Sequence, residues 1–361
     1  MADVYCDDTN GNDTTGTGTS GAPYQTLQKA VDNAARGDTI YIANTSAQVL
    51  SSALSFGTGY NATGTGETLI TSWDNGGSLT LTVPGATGAV TAAKIDASGL
   101  TVGWATSVQP YITLSNLIVD SSNTSNSVST NGYWNFLRCH FLATTKTSGF
   151  HVNSARRVID CTFENYGVLS VTALIAGCFF NNVSSYAVYQ SSQQILGNVF
   201  YSGSSYTGSN PLVDPGSPDS FIEGNTFISG SARTGPFVAA RQDSYIANNV
   251  FQGASGVGGS GIDAESKHVI ISNNIFYDCG PNVVNDSLAR YYSPNVTATA
   301  ALYTDAGTNQ WEASSELSYS QRDTGFVETS TQNYRDAGAI THKITAGGAT
   351  LASDARIERL K

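Results

Sequence analysis

Charged side chains are scarce in this 361-residue sequence. Asp, Glu, Lys and Arg together make up 12% of it, and acidic residues outnumber basic ones by 28 to 17. The formal net charge is −11. Nucleic acids and anionic membranes attract clustered Lys and Arg, so we expect neither as a partner. The sequence also lacks a run of about 18 apolar residues, which predicts that the chain inserts no helix into a membrane.

Metal-binding and disulfide patterns are also missing. There are five cysteines and four histidines, and none of the cysteines forms a Cys-x-x-Cys pair. The absence of such a pair argues against a zinc site, and the odd number of cysteines argues against a regular disulfide framework. We therefore expect no metal and no cofactor. Residues 1–13 contain neither a basic region nor an apolar core, so we expect no secretory signal there.

What the sequence has instead is a short segment that recurs eight times in steps of 17 to 27 residues. Each copy ends in a large apolar anchor, and the anchors are Ile118, Phe141, Phe163, Phe180, Phe200, Phe227, Phe251 and Phe276. Two positions earlier stand Asn116, Cys139, Cys161, Cys178, Asn198, Asn225, Asn249 and Asn274. A fixed local pattern with a variable step indicates a solenoid whose turns change length while its strands do not.

These repeats predict an all-β chain folded as a parallel β-helix of about ten coils. Successive strands lie about 4.7–4.9 Å apart, so equivalent side chains stack. The Phe anchors should then form an interior ring stack, and the Asn residues a hydrogen-bonded ladder at a bend where left-handed backbone angles are tolerated. Where the ladder position is Cys, we expect buried thiols, although Cys161 and Cys178 lie close enough to pair under oxidation.

The pattern divides the chain into three parts. Residues 1–43 form a leader with a short amphipathic helix, predicted from Leu27, Ala30, Val31 and Ala34, that caps the first coil. Residues 40–285 form the β-helix, and residues 286–361 lose the repeat and form an irregular C-terminal cap or assembly segment.

The leader and the coils, roughly residues 1–285, resemble the pectate-lyase-like superfamily of right-handed parallel β-helices. That superfamily includes polysaccharide-degrading enzymes and phage tail-spike bodies. The resemblance implies the right-handed fold but says little about activity, because one fold carries many functions. The pectin-hydrolase elements Gly-His-Gly and Arg-Ile-Lys are absent, since His151 is flanked by Phe150 and Val152.

The best candidates for chemistry are Arg241 and Asp243 on one coil and Asp263 and Glu265 on the next, beside Lys267 and His268. Acids, a base and a cation in one groove suit elimination or hydrolysis of a glycan. A solvated charged face is the simpler interpretation, and we favour it. Asp219, Asp243 and His268 each lie eight residues before an anchor, which predicts that they are stacked neighbours.

Two further groups have a functional and a structural interpretation. The Asp and Asn residues of the leader, Asp7, Asp8, Asn10, Asn12 and Asp13, loosely follow a calcium-loop spacing. No Glu stands at the twelfth position, and we favour a capping loop. Four tyrosines could stack on sugar rings or cover the coil edge, and these are Tyr186, Tyr189, Tyr201 and Tyr206.

Two functional hypotheses follow. The favoured one is a non-catalytic virion structural protein, a phage decoration, fibre or spike component, which is assembled in the host cytoplasm and exposed on the particle surface. Its partners would be other virion proteins and host surface polysaccharide, and a homotrimer is compatible with closed rotational symmetry. The alternative is an enzyme, a polysaccharide lyase or glycoside hydrolase such as a capsule depolymerase, in which Asp243→Asn and Glu265→Gln would abolish cleavage.

Overall fold

The computed structural model describes residues 1–57, 60, 66–81, 90–100, 104–105, 111–122, 128–129, 134–142, 150–183, 185–190, 194–203, 209–264, 268–285, 289–291, 295–297 and six later strands. The chain divides into two compact units. The first comprises Met1–Val83 with Ala89–Glu164, and the second comprises Pro84–Gly88 with Asn165–Lys361. None of the helices in the described residues is long and apolar enough to cross a membrane.

The first unit contains one helix and sixteen strands within its described residues. In chain order they are β1 Asp3–Cys6, α1 Leu27–Asn33, β2 Thr39–Ala43, β3 Ala47–Val49, β4 Leu54–Ser55, β5 Thr68–Trp73, β6 Thr80–Leu81, β7 Val90–Thr91, β8 Ala93–Asp96, β9 Trp104–Ala105, β10 Ile112–Ser115, β11 Leu117–Asp120, β12 Val128–Ser129, β13 Trp134–Leu137, β14 His140–Leu142, β15 Val152–Ile159 and β16 Thr162–Glu164.

Two parallel ladders organise this unit. One runs through β1, β2, β5, β10, β13 and β15, with β12 paired to the start of β15. The other runs through β3, β8, β11, β14 and β16. Each strand therefore pairs with the equivalent strand of the next coil, as a parallel β-helix requires.

The predicted capping helix is present as α1. Thr26 precedes it in an extended conformation and its hydroxyl accepts a hydrogen bond from the Lys29 amide, so Thr26 is the N-cap. Leu27, Ala30 and Val31 are buried on the face that packs against β1 and β2. The i, i+3, i+4 spacing of these apolar residues predicted both the helix and the face that it buries.

The second unit contains twenty-three strands within its described residues. They are β17 Val168–Ala176, β18 Phe179–Asn181, β19 Val188–Tyr189, β20 Gln194–Leu196, β21 Val199–Ser202, β22 Val213–Asp214, β23 Phe221–Glu223, β24 Thr226–Ser229, β25 Pro236–Ala239, β26 Tyr245–Ala247, β27 Val250–Gln252, β28 Ser260–Asp263, β29 Ile270–Ser272, β30 Ile275–Tyr277, β31 Val283–Val284, β32 Arg290–Tyr291, β33 Val296–Thr297, β34 Tyr303–Asp305, β35 Trp311–Ala313, β36 Val327–Thr329, β37 Asn333–Arg335, β38 Lys343–Thr345 and β39 Gly348–Thr350.

Three columns of parallel strands build the coils of this unit. The first column comprises β19, β22, β25, β28 and β31, and the second comprises β20, β23, β26, β29 and β32. The long strand β17 pairs with the first strand of both columns. The third column comprises β18, β21, β24, β27, β30 and β33. The chain thus has the predicted right-handed parallel β-helix fold.

The predicted Phe stack lies in the core. In the second unit the rings of Phe180, Phe200, Phe227, Phe251 and Phe276 follow one another at centroid distances of 4.9, 4.8, 4.8 and 5.0 Å, with interplanar angles of 15° or less. All five side chains are fully buried. Each contributes about 1.5–3 kcal/mol from burial alone.

The predicted Asn ladder stands at the corner between the second and third columns. The Nδ2 atoms of Asn198, Asn225 and Asn249 each donate to the Oδ1 atom of the next Asn at 3.0 Å. The same Oδ1 atoms accept backbone amides of the preceding coil at 2.9–3.0 Å. The ladder therefore supplies partners to backbone groups that the corner would otherwise leave buried and unpaired.

Two details of the predicted ladder are wrong. In the first unit Val119, not Ile118, pairs with Phe141, and Asn116 precedes the ladder position by one residue. Asn116 instead has a left-handed backbone (φ 56°), as do Asn248 and Asn273, whereas the ladder residue Asn249 does not. Asn suits both positions of the bend, so residue type alone did not separate them.

The coils continue past the expected boundary at residue 285. Strands β32 and β33 pair in register with β29 and β30, and Asn295 accepts from Asn274 Nδ2 at 3.1 Å. Thr297 occupies the anchor position of this coil in place of Phe, so the sequence pattern did not predict the coil. The first-unit ladder of β3, β8, β11, β14 and β16 thus contains five strands, and the third column of the second unit contains six. These strand numbers agree with the predicted number of about ten coils. Beyond Thr297 the described strands form antiparallel pairs: β34 with β35, β36 with β37, and β38 with β39.

Candidate functional site

The outward face of the first column in the second unit holds one residue of the predicted site, Asp263. Strand residues alternate between the core and the exterior, and Val213, Val238 and Ile262 point to the core as register partners. Their neighbours Asp214 and Asp263 are therefore directed outwards on alternate coils. The two strands are about 9.5 Å apart, twice the spacing of neighbouring strands.

Arg241 lies in the turn after β25 and binds Asp214. Its Nε donates to Asp214 Oδ1 at 2.9 Å and its Nη2 to Oδ2 at 2.6 Å, a two-point contact between guanidinium and carboxylate. The Gly216 amide also donates to Oδ1 at 3.0 Å, and Asp214 is only 6% exposed. Both oxygens of this carboxylate are thus occupied by the protein, which suits a fixed anion better than an acid that must transfer a proton.

Asp263 is also held by the protein. Asn285 Nδ2 donates to its Oδ1 at 2.7 Å. Asp263 is partly exposed, whereas Asp214 is buried. Asp214 and Asp263 both stand thirteen residues before an anchor, at Phe227 and Phe276, so the sequence contained a signal for their shared face that we did not use.

The structure brings Asp243 and His268 together in the turn between the first and second columns. His268 Nδ1 lies 3.2 Å from Asp243 Oδ1, and Gln242 donates to Oδ2 at 2.9 Å. Asp219, Asp243 and His268 all have left-handed backbones, with φ of 58°, 56° and 64°. The side chains of His268 and Asp243 are 54% and 39% exposed, so their contact is worth at most about 1 kcal/mol.

The three sequence candidates that the structure describes therefore belong to different local networks. Arg241 binds Asp214, which was not among the residues predicted from the sequence, and Asp243 contacts His268. Asp263 is directed to Asn285. Glu265, like Lys267, lies outside the described residues, and its assignment stays a prediction.

The acidic leader is organised as a capping loop around Asp7. This carboxylate is fully buried and accepts hydrogen bonds from Thr45 Oγ1 at 2.8 Å, Asn75 Nδ2 at 2.7 Å, and the Thr9 and Asn10 amides at 3.0 and 3.1 Å. Burial alone would raise the pKa of Asp7, but these hydrogen bonds outweigh it and lower the pKa. The carboxylate thus ties the leader to later coils.

Neither a metal site nor a disulfide is found in the described part of the chain. It contains no group of three or more His, Cys, Asp or Glu side chains placed to hold a metal ion. All five cysteines lie in this part, and none of them forms a disulfide. Cys139 and Cys161 are fully buried ladder residues, and the Cys139 amide donates to Cys161 Sγ at 3.4 Å. Burial raises the pKa of Cys139, so its thiol is inert towards most reagents.

The predicted tyrosines have different environments. Tyr186 and Tyr189 are half-buried and contact each other with ring centroids 4.3 Å apart. Tyr201 is buried, at 8% exposure, and therefore covers the coil rather than meeting solvent. Tyr206 lies outside the described residues.

No family model and no curated protein matches this sequence. Among solved structures, the chain is similar to a GH136 lacto-N-biosidase from Eubacterium ramulus, with 10% identity, a TM-score of 0.44, and coverage of 82% of this chain and 68% of that one. It is also similar to a rhamnogalacturonan lyase (12% identity, TM-score 0.37, coverage 99% and 98%) and to pectate lyase Pel9A (14%, 0.34, 99% and 90%).

The pectate lyase and the rhamnogalacturonan lyase have the pectate-lyase-like parallel β-helix fold. Identities and TM-scores this low carry no argument about activity or site residues. The fold itself is established by the strand register described above.

Proposed function

We propose that this chain is a non-catalytic structural protein on the surface of a phage or phage-like particle, where it contacts host polysaccharide. The contacts that the candidate carboxylates make with neighbouring side chains support this proposal most. Asp214, Asp263 and Asp243 each have at least one carboxylate oxygen engaged by a neighbouring side chain. Acids in such contacts hold coils together, whereas a catalytic acid must face its substrate.

The thiols and the ladder fit assembly in a host cytoplasm followed by exposure on a particle. Five cysteines that form no disulfide are compatible with folding in a reducing compartment. The buried Asn ladder and Phe stack connect each coil of the second unit to the next, which favours resistance to local unfolding. Other virion proteins would be the docking partners, and a homotrimer is the assembly that we propose.

Peptide mass spectrometry of purified particles tests this function. We expect the chain at a fixed copy number relative to the major shell protein, unchanged when the particles are washed in high salt. Its absence from particles, with the chain free in the cytosol or medium, would overturn the proposal.

One observation favours a second candidate, a polysaccharide lyase or glycoside hydrolase. Asp214 and Asp263 share an outward face on strands about 9.5 Å apart, close to the upper end of the carboxyl separation of inverting glycosidases, about 6.5–9.5 Å. If this face is catalytic, Asp214→Asn and Asp263→Asn abolish release of reducing or unsaturated sugar ends, and the turn substitution Asp243→Asn does not. Activity that survives both substitutions on the strand face would remove this candidate.

A further inference from the structure

The outward face of the second column holds an apolar row that the folding pattern does not require. Phe221, Tyr245 and Ile270 are register partners on three successive coils, β23, β26 and β29. Their neighbours Ile222, Ile246 and Ile271 are fully buried in the core. Alternation then directs the first three side chains outwards, and we call them the aromatic strip.

The aromatic strip is accessible from outside. Phe221 is 48% exposed, and Tyr245 and Ile270 are partly exposed. The rings of Phe221 and Tyr245 have centroids 6.0 Å apart with an interplanar angle of 48°. Single exposed apolar residues need no explanation, but an ordered row of three at the coil spacing forms a continuous platform.

A row of polar side chains borders each side of the strip. In the turn before the strands stand Asp219, Asp243 and His268, two residues before Phe221, Tyr245 and Ile270 respectively. After the strip, Asn248 Nδ2 donates to Glu223 Oε1 at 2.9 Å and Asn273 Nδ2 donates to Asn248 Oδ1 at 2.6 Å. This outer amide chain fixes the orientation of one border.

An apolar platform between two rows of carboxylates and amides matches the chemistry of a sugar ring. A pyranose has an apolar C–H face, which packs on an aromatic ring, and hydroxyl groups around its edge, which donate to carboxylate and amide oxygens. Such oxygens have two lone pairs each and accept more than one hydrogen bond. A polysaccharide that runs across the strands would meet a platform residue about every 4.8 Å.

The charges of the borders select among glycans. Asp219, Asp243 and Glu223 are acidic, and His268 is paired with Asp243. The chain as a whole has a net charge of −11. Uronic acids and other anionic sugars would be repelled at this surface, whereas uncharged sugars would not.

We propose that the aromatic strip is a binding site for an uncharged polysaccharide, bound across β23, β26 and β29. The inference rests on the proposed function, because it names the surface and the glycan class of the expected polysaccharide contact. It places that contact on the second column, away from Asp214 and Asp263 and from Tyr186 and Tyr189 near the first column.

Affinity electrophoresis of the full chain tests this inference, with gels that contain neutral galactomannan, dextran, polygalacturonate or hyaluronate. We expect retardation by a neutral polymer and not by the acidic ones. Phe221→Ala and Tyr245→Ala should each weaken binding at least about tenfold, as expected for a central contact residue. The matched control is Tyr189→Ala, a partly exposed tyrosine of the first column, which should bind like the wild type. Unfolding midpoints of all three variants should equal that of the wild type.

Three results would overturn the inference. The first is an affinity for a neutral polymer that neither Phe221→Ala nor Tyr245→Ala changes. The polymer would then bind at another surface, and the proposed particle function would be unaffected. The second is no retardation by any neutral polymer while the chain is present on particles. The third is a wild type that sediments as an oligomer and a Phe221→Ala variant that sediments as a monomer, which would make the strip a contact with a second copy of this chain.

Discussion

Substitution of Asn249 gives the sharpest test of what holds the coils together. Asn249 is fully buried, and its Oδ1 accepts from the Asn225 amide at 2.9 Å and from Asn225 Nδ2 at 3.0 Å. Asn249→Ala leaves both of these buried donors short of an acceptor. At about 1–3 kcal/mol for each buried group left unpaired, the free energy of unfolding should fall by about 2–6 kcal/mol.

The chain itself suggests a graded series. Cysteine occupies the ladder position in other coils, where Cys161 Sγ accepts the Cys139 amide at 3.4 Å. Asn249→Cys should therefore keep one weaker acceptor and lose less stability than Asn249→Ala. Asn210 is exposed and its side chain makes a long 3.4 Å contact with Ser185, so Asn210→Ala should change stability by less than about 0.5 kcal/mol.

Urea unfolding followed by far-ultraviolet circular dichroism measures the series, and hydrogen exchange at the Asn225 amide localises the effect. Repeat arrays can unfold in parts, so the exchange measurement reports the affected coil even where the global transition is not two-state. If Asn249→Ala were as stable as Asn210→Ala, or less destabilised than Asn249→Cys, the hydrogen-bonded ladder would not be what stabilises this corner.

Three further predictions concern the core, the leader and the thiols. Phe227→Ala should lower the free energy of unfolding by about 3–5 kcal/mol in the same urea assay, because Phe227 is fully buried in the ring stack; a loss below about 1 kcal/mol would contradict the stack. Asp7→Asn should destabilise the protein more at about pH 6 than at about pH 2: the native pKa of Asp7 is lowered, so the stability from its carboxylate is present above the unfolded-state pKa and is lost as pH falls through the native pKa. A pH-independent difference in melting temperature between wild type and variant would refute this. At pH 8 a disulfide reagent should leave Cys139 unmodified in the native state and modify Cys279 at least about a hundredfold more slowly than a free thiol, because burial raises the pKa of Cys279 to about 12; rapid labelling of either, followed by absorbance, would show that these sites open.

The repeat was visible in the sequence because stacking demands the same residue type at the same place in every coil. Phe200, Phe227 and Phe251 could be predicted as one stack for that reason. The ladder at Asn295 was missed because Thr297 replaces its anchor, and Asn116 was placed one residue out because both bend positions favour Asn.

The contacts of the candidate site were harder to predict from the sequence, because its side chains bind residues on neighbouring coils. The position of Arg241 in a turn does not reveal that its guanidinium binds Asp214 on the preceding coil. The aromatic strip was hidden for a related reason. Phe221, Tyr245 and Ile270 each lie six residues before an anchor, but they differ in residue type, so no repeated residue marks the row that the strand register shows.

The most direct test of non-catalytic polysaccharide binding is the length of a polysaccharide that the protein binds, measured by size-exclusion chromatography after prolonged incubation with the wild-type chain. The account predicts that the polymer is retained by the protein and keeps its full length. Progressive shortening that disappears in Asp214→Asn or Asp263→Asn would contradict the account and establish the first-column face as an active site.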